Sequence, residues 1–378
     1  MRFERPALAV VKVGSSSLRR ADGQLDRERI AVLSAQIAAA RDAGTRMVVV
    51  SSGAVAAGMG RLGIEQRPTD LPTLQACAAV GQGDLIHEYQ ARLDDHGASG
   101  AQILLSQDDF VRRHRYLNAR TTMRRLLQLG TVPVINENDA VATEELAYGD
   151  NDHLAALVAS MLEADLLLLL SDVDGLYDKD PRQHPDAELV AHVARIDDLD
   201  LDRIGGTGSF VGSGGMRTKV ESARVAVASA AHAVVANAGH PDVVTEVMAG
   251  REVGTWFQAQ QRRLEARRLW IGFALNPHGT VAIDDGAARA ILERGTSLLA
   301  VGVTSVDGSF EAGDAVEVVD GTGATIARGL VNYDVSDLRR IAGLTTEQAA
   351  EQLGPAYARE VIHRDDLALL AGSGDGGN

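Results

Sequence analysis

The chain has 378 residues, 45% of them apolar and only 4% aromatic, so it can fill the cores of two domains mostly with Ala, Val, Leu and Ile. A formal net charge of −15 argues against a binder of nucleic acid or of an anionic membrane. The single cysteine, Cys77, rules out an internal disulfide and a cysteine-based metal cluster. The opening MRFERPALAVVKV lacks the long apolar segment and cleavage site of a signal peptide, and apolar runs such as Leu166–Leu170 are far too short to span a membrane, so a soluble cytoplasmic protein is expected.

Strands and helices alternate from the start. LAVVKV (8–13) reads as a buried strand, and residues 27–43 put Ile30, Leu33 and Ile37 on one helical face that Gly44 closes. RMVVV (46–50) is the next strand and runs into Ser-Ser-Gly-Ala. A long helical region follows, interrupted near Pro68 and Pro72. Then come a strand at 101–106, a helix at 121–130, a strand at 132–137, a helix at 153–164 and a strand at 165–172. Lys219 opens a further helix, and AVVANA (233–238) is again a strand. Continuous apolar strands joined by helical crossovers predict an α/β three-layer sandwich with a mainly parallel central sheet. Ligands bind such sheets at the carboxyl ends of the strands. The clusters GSSS, SSG, NENDA and SDVDG fall there.

The pattern changes after about residue 254. A catalytic unit is expected over 1–255, a charged linker over 256–277, a small β-rich domain with Asp-Gly and Gly turns over 278–366, and a flexible tail over 367–378.

Only three of the 37 basic residues are lysines: Lys12, Lys179 and Lys219. Lys12 precedes GSSS and Lys219 ends GSGGMRTK (212–219), so two of the three flank small-residue loops. A compact ammonium and a planar guanidinium are not equivalent at a phosphate. GSGGMRTK is not a Walker A loop, because Lys219 precedes Val220 rather than Ser or Thr, and neither GSSSL nor GAVAAGMGRLG is a GxGxxG fingerprint. What remains is a loop rich in backbone N–H groups that enters a helix N-terminus, a place that favours anions. NENDAV (136–141) and GDND (149–152) gather Asn136, Asn138, Asp139, Asp150, Asn151 and Asp152. Two readings stay open for them: helix capping, with Asp152 capping a helix that begins near His153, or a polar site that orients an amine-bearing substrate and holds lysines. The ten histidines have no metal-ligand spacing, so no protein-bound metal is expected. Carboxylates near an anion loop suit Mg²⁺ brought in by a nucleotide.

Taken together, VVKVGSSSL, VVVSSGA, PVINENDAVA, GDNDHLAALVA, LLLLLSDVDGLYDKDPR and GSGGMRTK resemble the amino-acid kinase family, in its branch acting on the glutamate side chain. The C-terminal segment resembles a PUA domain. The resemblance implies ATP and Mg²⁺ as cofactors, L-glutamate as substrate and γ-glutamyl phosphate as product. It matches Lys12 to a lysine contacting the transferring phosphoryl group and Lys219 to the nucleotide-side lysine. Ser213, Gly214, Gly215, Met216, Arg217 and Thr218 match the loop around ATP, and Ser171 and Asp172 match the rest of the nucleotide site. Ser52, Asp139 and Asn151 match glutamate-binding positions, and Asp152 the carboxylate that holds the lysines. Gly212-Ser213 stands where Gly-Thr is familiar, which keeps a hydroxyl. Lys179 receives no role. The resemblance also implies inhibition by proline, hand-over to a reductase, and a homodimer or homotetramer. RNA binding by the PUA-like segment is not expected: residues 278–366 hold 15 Asp plus Glu against 7 Arg, a net of −8.

Overall fold

The computed structural model describes residues 3–20, 23–106, 108–141, 151–181, 183–199, 215–260, 271–272 and 277–370. The chain divides into two units, Met1–Arg263 and Leu264–Asn378.

In the first unit β1 (Leu8–Val13) is buried at all six positions. Helix α1 (Arg27–Asp42) starts at Asp26, whose side chain accepts from the Arg29 N–H, and leads to β2 (Arg46–Ser51). Helix α2 (Ala54–Leu62) follows Gly53, which sits at φ 115° in the left-handed region. Helix α3 (Leu71–Asp94) is capped by Asp70 and carries Pro72 in its first turn. Next come β3 (Gly100–Leu105), the one-turn α4 (Asp108–Val111), α5 (Arg113–Gln128) and β4 (Val132–Glu137). Helix α6 (Asn151–Leu162), β5 (Leu166–Ser171), β6 (His192–Val193), α7 (Met216–Ala228), β7 (His232–Asn237), α8 (Val243–Met248) and β8 (Thr255–Phe257) complete the unit.

The sheet order is β3-β4-β2-β1-β5-β7-β8-β6. Its first six strands run parallel, and β8 is antiparallel to β7. Alternation along β1 decides the placement of the lysine. Ala9, Val11 and Val13 join the core that Ile30, Leu33, Leu85 and Val244 build on one face. Val10 and Lys12 turn to the other face, which α6 covers and where α6 packs on α7.

Helices α2 and α3 approach through glycine. A Cβ on Gly58 would lie 1.8 Å from the Cys77 carbonyl oxygen, and one on Gly81 would lie 1.9 Å from the Ala54 carbonyl oxygen. This contact brings α3 under the loop that follows β2.

The second unit has a five-stranded sheet, β10-β9-β11-β12-β13. The strands are β9 (Gly279–Ile283), β10 (Val303–Gly308), β11 (Ala315–Val319), β12 (Thr325–Leu330) and β13 (Leu367–Leu369), with β9 and β11 parallel and the other pairs antiparallel. Helices α9 (Asp285–Arg294), α10 (Val335–Ile341) and α11 (Thr346–Leu353) accompany it, the last opened by a capping box of Thr345 and Gln348. Val281, Val316, Val318, Tyr333 and Leu338 are in its own core. No described helix is long and apolar enough to cross a membrane.

Some expectations need correction. Pro72 begins α3 instead of interrupting a helix, because the first turn needs no N–H from it. Helix α5 starts at Arg113, eight residues before the expected 121, since its polar first turns are mostly solvent-facing and carry little apolar signal. The helix expected to open at Lys219 starts at Met216, which puts Lys219 in its first turn. β8 crosses the expected boundary at residue 255 and adds Trp256 and Phe257 to the first sheet. The tail expected from 367 begins too early, because Leu367 and Ala368 are buried in β13 against β12. Residues 371–378 lie outside the described residues.

Candidate active site

The carboxyl ends of β1, β2, β4 and β5 lie side by side in the sheet. Three polar groups lie buried where the end of β1 meets the starts of α6 and α7. Lys12 is 4% exposed, Asp152 0% and Lys219 6%. Lys12 Nζ pairs with Asp152 Oδ1, and Lys219 Nζ donates to Asp152 Oδ2 at 2.9 Å. A single buried ammonium would be prohibitive, and one carboxylate compensates only one of two. The trio therefore retains one net positive charge. Burial pushes the Asp152 carboxyl up, but Lys12 and then Lys219 outweigh it and hold the group below the ordinary carboxylate value. Asp152 is ionised between its lysines.

Asp152 is not the helix cap that one reading of the sequence allowed. It is the second residue of α6, which begins at Asn151, and both its oxygens are taken by the lysines. Gly215 occupies the N-cap of α7 with no side-chain cap, so the helix end adds N–H groups and positive potential beside Lys219. Of the expected loop, Gly215, Met216, Arg217 and Thr218 are in this first turn. Thr218 Oγ1 donates to the Gly215 carbonyl at 2.8 Å, and Arg217 pairs outward with Glu221 at 3.3 Å. Ser213 and Gly214 lie outside the described residues.

A neutral chain of side chains lies next to this centre. Asn151 Nδ2 donates to Ser52 Oγ at 2.8 Å and to Asn136 Oδ1 at 3.0 Å, and Asn136 Nδ2 donates to Gln82 Oε1 at 2.8 Å. Both N–H bonds of Asn151 are thereby used. Its Oδ1 is buried and has no partner among the described residues. Ser52 Oγ accepts from Asn151, which leaves its own proton to donate. Beneath it, Ser51 Oγ lies 3.0 Å from the Ser52 carbonyl and 3.1 Å from the hydroxyl of Tyr89, a fully buried side chain. Burial, opposed by the Ser51 hydrogen bond, pushes the Tyr89 hydroxyl up to about 12, so it stays neutral at this loop.

Asp139 stands apart from these bonds, in a 3-10 turn directly after β4. Burial pushes its carboxyl up to about 6, opposed by Arg67. Burial, and then the charge of Asp139, push Glu137 up to about 7. Two partly buried carboxylates that resist ionisation would welcome a cation.

At the end of β5, Ser171 Oγ donates to Asp172 Oδ1 at 3.1 Å. Close by in the chain, Asp174 accepts from Asn237 Nδ2 at 2.8 Å, and both line a cleft of about 410 Å³ with Leu189, His240 and Glu252. Lys179 is far along the following loop, where it pairs with Asp186 at 2.6 Å.

Sequence reading did not single out Gln82, Tyr89 or Glu137. Gln82 left a signal, since a polar residue between Gly81 and Gly83 inside a helix marks a close approach. Tyr89 left none, because a core tyrosine and a positioning tyrosine look alike in sequence.

Residues 7–237 match the amino acid kinase family and residues 279–351 match the PUA domain. The glutamate 5-kinase of Streptomyces coelicolor is 49% identical over 362 residues, which cover 96% of each chain. The glutamate 5-kinase of a Marinomonas species is 47% identical over 362 residues, again 96% of each. Among solved structures, carbamate kinase from Giardia lamblia bound to AMP-PNP superposes with a TM-score of 0.51 at 16% identity, over 69% of this chain and 100% of that one, a likeness of fold alone. The chain belongs to the amino acid kinase family, where it stands with the glutamate 5-kinases, and it carries a PUA domain behind the kinase unit.

Proposed function

We propose that this chain is a cytoplasmic enzyme that transfers the γ-phosphoryl group of ATP to the side-chain carboxylate of L-glutamate, giving γ-glutamyl phosphate and ADP, the first step of proline biosynthesis. The observation that carries the reading is the buried Lys12–Asp152–Lys219 centre, two ammonium groups held on one carboxylate among the described residues, next to an amide chain that offers one acceptor and one hydroxyl donor. An anion answers the first and the ammonium and carboxylate of an amino acid answer the second. The family membership and the names of the near relatives support the same substrate.

In this reading a side-chain carboxylate oxygen of glutamate forms the new bond to phosphorus while the bond to the bridging β–γ oxygen breaks and ADP leaves. A carboxylate is already a nucleophile at neutral pH, so no general base is needed. The difficulty is charge, because an anion must approach a polyanion. Lys12 meets the transferring phosphoryl group, Lys219 and the first turn of α7 meet the nucleotide phosphates, and Asp152 keeps both ammonium groups in position. Ser171 and Asp172 belong to the nucleotide side, and Ser52, Asn151 and Asp139 to the glutamate side. The nucleotide is taken as its magnesium complex. Among the described residues no three His, Cys, Asp or Glu are grouped to hold a metal ion.

Residues 1–255, extended through β8, would carry the chemistry, with the PUA domain as an interaction or regulatory module. Inhibition by proline, hand-over of the short-lived acyl phosphate to a reductase, and a dimer or tetramer rest on the resemblance. The deciding experiment is ADP release with L-glutamate, N-acetylglutamate and aspartate offered in turn, beside a salt-dependent RNA shift. Turnover on glutamate above the other two supports the reading. Turnover on another carboxylate, or RNA retention without turnover, contradicts it.

A further inference from the structure

Ser51 closes β2, and Ser52 opens the turn into α2. The Ser52 N–H donates to the Val13 carbonyl at 3.0 Å, and its hydroxyl lies 2.8 Å from Asn151 Nδ2. Its carbonyl stands outside the ladder of α2, whose first bond runs from the Ala57 N–H to the Gly53 carbonyl. The residue that follows is Gly53, at φ 115°, and glycine takes either sign of φ at little cost. The Ser52–Gly53 peptide is therefore free to flip unless something holds its carbonyl. Among the described residues that partner is Ser51 Oγ, at 3.0 Å. Ser51 has one hydroxyl proton and two oxygen neighbours, the Ser52 carbonyl and the Tyr89 hydroxyl at 3.1 Å. A backbone carbonyl only accepts, so the Ser51 proton goes to it and the Tyr89 O–H donates to Ser51 Oγ. Tyr89 sits in the core beside Leu85, Ile86 and Leu93 of its own helix, where a plain phenyl ring would pack as well, and its hydroxyl serves this bond.

We propose that Tyr89 is a positioning residue for the amino-acid substrate: through Ser51 it locks the Ser52–Gly53 peptide, and so fixes the turn that presents the Ser52 hydroxyl. A flipped peptide would exchange its carbonyl and its N–H, putting an acceptor in this turn where a donor stood, an exchange that disfavours an anionic substrate. The inference rests on the reading of glutamate as substrate and of Ser52 as one of its contacts. It assigns Tyr89 and Ser51 no contact with substrate or nucleotide.

The test is a double-mutant cycle of Tyr89→Phe and Ser51→Ala in the full chain. Steady-state ADP release is measured with glutamate and ATP varied separately, and thermal melts check folding. Tyr89→Phe removes one hydrogen bond and should raise the KM for glutamate about fivefold. Ser51→Ala leaves the Ser52 carbonyl unheld and should raise it about tenfold. In both variants the KM for ATP should change by no more than about twofold. Because Tyr89 acts through Ser51, the double variant should match Ser51→Ala within about twofold, whereas independent effects would multiply to about fiftyfold. A merely structural tyrosine would move the melting temperature and leave these ratios alone. Tyr89→Phe with an unchanged KM for glutamate, or with the KM for ATP raised equally, would overturn the inference. So would a double variant whose KM for glutamate rises by the product of the two single effects. Ser51→Ala with an unchanged KM for glutamate overturns it too, and that arm decides the matter even if a Tyr89 variant fails to fold. If the unaltered chain releases no ADP with glutamate, the functional reading falls first and this inference with it.

Discussion

The Lys12–Asp152–Lys219 centre and the Gln82–Asn136–Asn151–Ser52 chain lie at the same edge of one sheet, yet they are made complete by opposite kinds of partner. The first is ionic, nearly fully buried and, among the described residues, holds two ammonium groups on one carboxylate. The second is neutral and directional, and it ends in an unmatched acceptor. Both begin at α6, with Asn151 and Asp152 as successive residues facing different clusters. The difference teaches that a site can specify two ligand groups independently, by charge imbalance on one side and by hydrogen-bond direction on the other. It also sets the sizes of the effects that substitutions should produce.

The largest effect should follow Asp152→Asn. It removes the carboxylate that pairs with both buried lysines, and breaking such a pairing costs about 3–5 kcal/mol. The melting temperature should fall sharply, turnover should nearly vanish, and added ATP should recover part of the melting temperature because its phosphates replace the lost negative charge. A thermal melt with and without nucleotide checks this.

Lys12→Arg and Lys219→Arg keep the charge and follow the chain's own habit of using arginine. If a point charge is required, the planar head cannot take its place, and losing one preorganised donor lowers turnover by about a hundredfold or more. Lys179→Arg, on a residue paired with Asp186 in a loop, should stay within about 0.5 kcal/mol in stability and near normal in turnover. Turnover of the three variants beside their melts makes the comparison.

Gly81→Ala probes the neutral side through its scaffold. The new Cβ would lie 1.9 Å from the Ala54 carbonyl oxygen, so α3 must shift. Overpacking of this kind costs about 1–3 kcal/mol. Since α3 also carries Gln82, the KM for glutamate should rise more than the KM for ATP. Separate titrations of the two substrates read this out.

The smallest effect is one of pH. Glu137 and Asp139 are held up to about 7 and about 6. Because both folded values are raised, their contribution to stability is fully present below the ordinary carboxylate range and is lost as pH rises through 6 and 7. The ionised pair is then the form that binds a cation. Glutamate should therefore raise the melting temperature more at pH 8 than at pH 5.5, and its KM should increase as pH falls through 7 to 6.

Legibility in the sequence followed the same division. Lys12 and Lys219 stood out because lysine is rare in this chain, and Lys12 interrupts an apolar strand where a charge needs a reason. Asp152, Asn151 and Ser52 stood out through the motifs that carry them. The parallel sheet was legible because β1, β2, β4, β5 and β7 are continuous apolar runs. β6 and β8 were not, since two or three residues carry no period. Gln82 was hidden because its meaning depends on a neighbour 54 residues away.

The most direct test of the division between the two clusters is full steady-state kinetics of Lys219→Arg and Asn151→Ala, with ATP and glutamate each varied. Lys219→Arg should lose kcat while the KM for glutamate holds, and Asn151→Ala should raise the KM for glutamate while the KM for ATP holds. If Asn151→Ala instead raises the KM for ATP selectively, or if both variants lose the same parameter to the same extent, the two clusters do not act separately and the account is wrong.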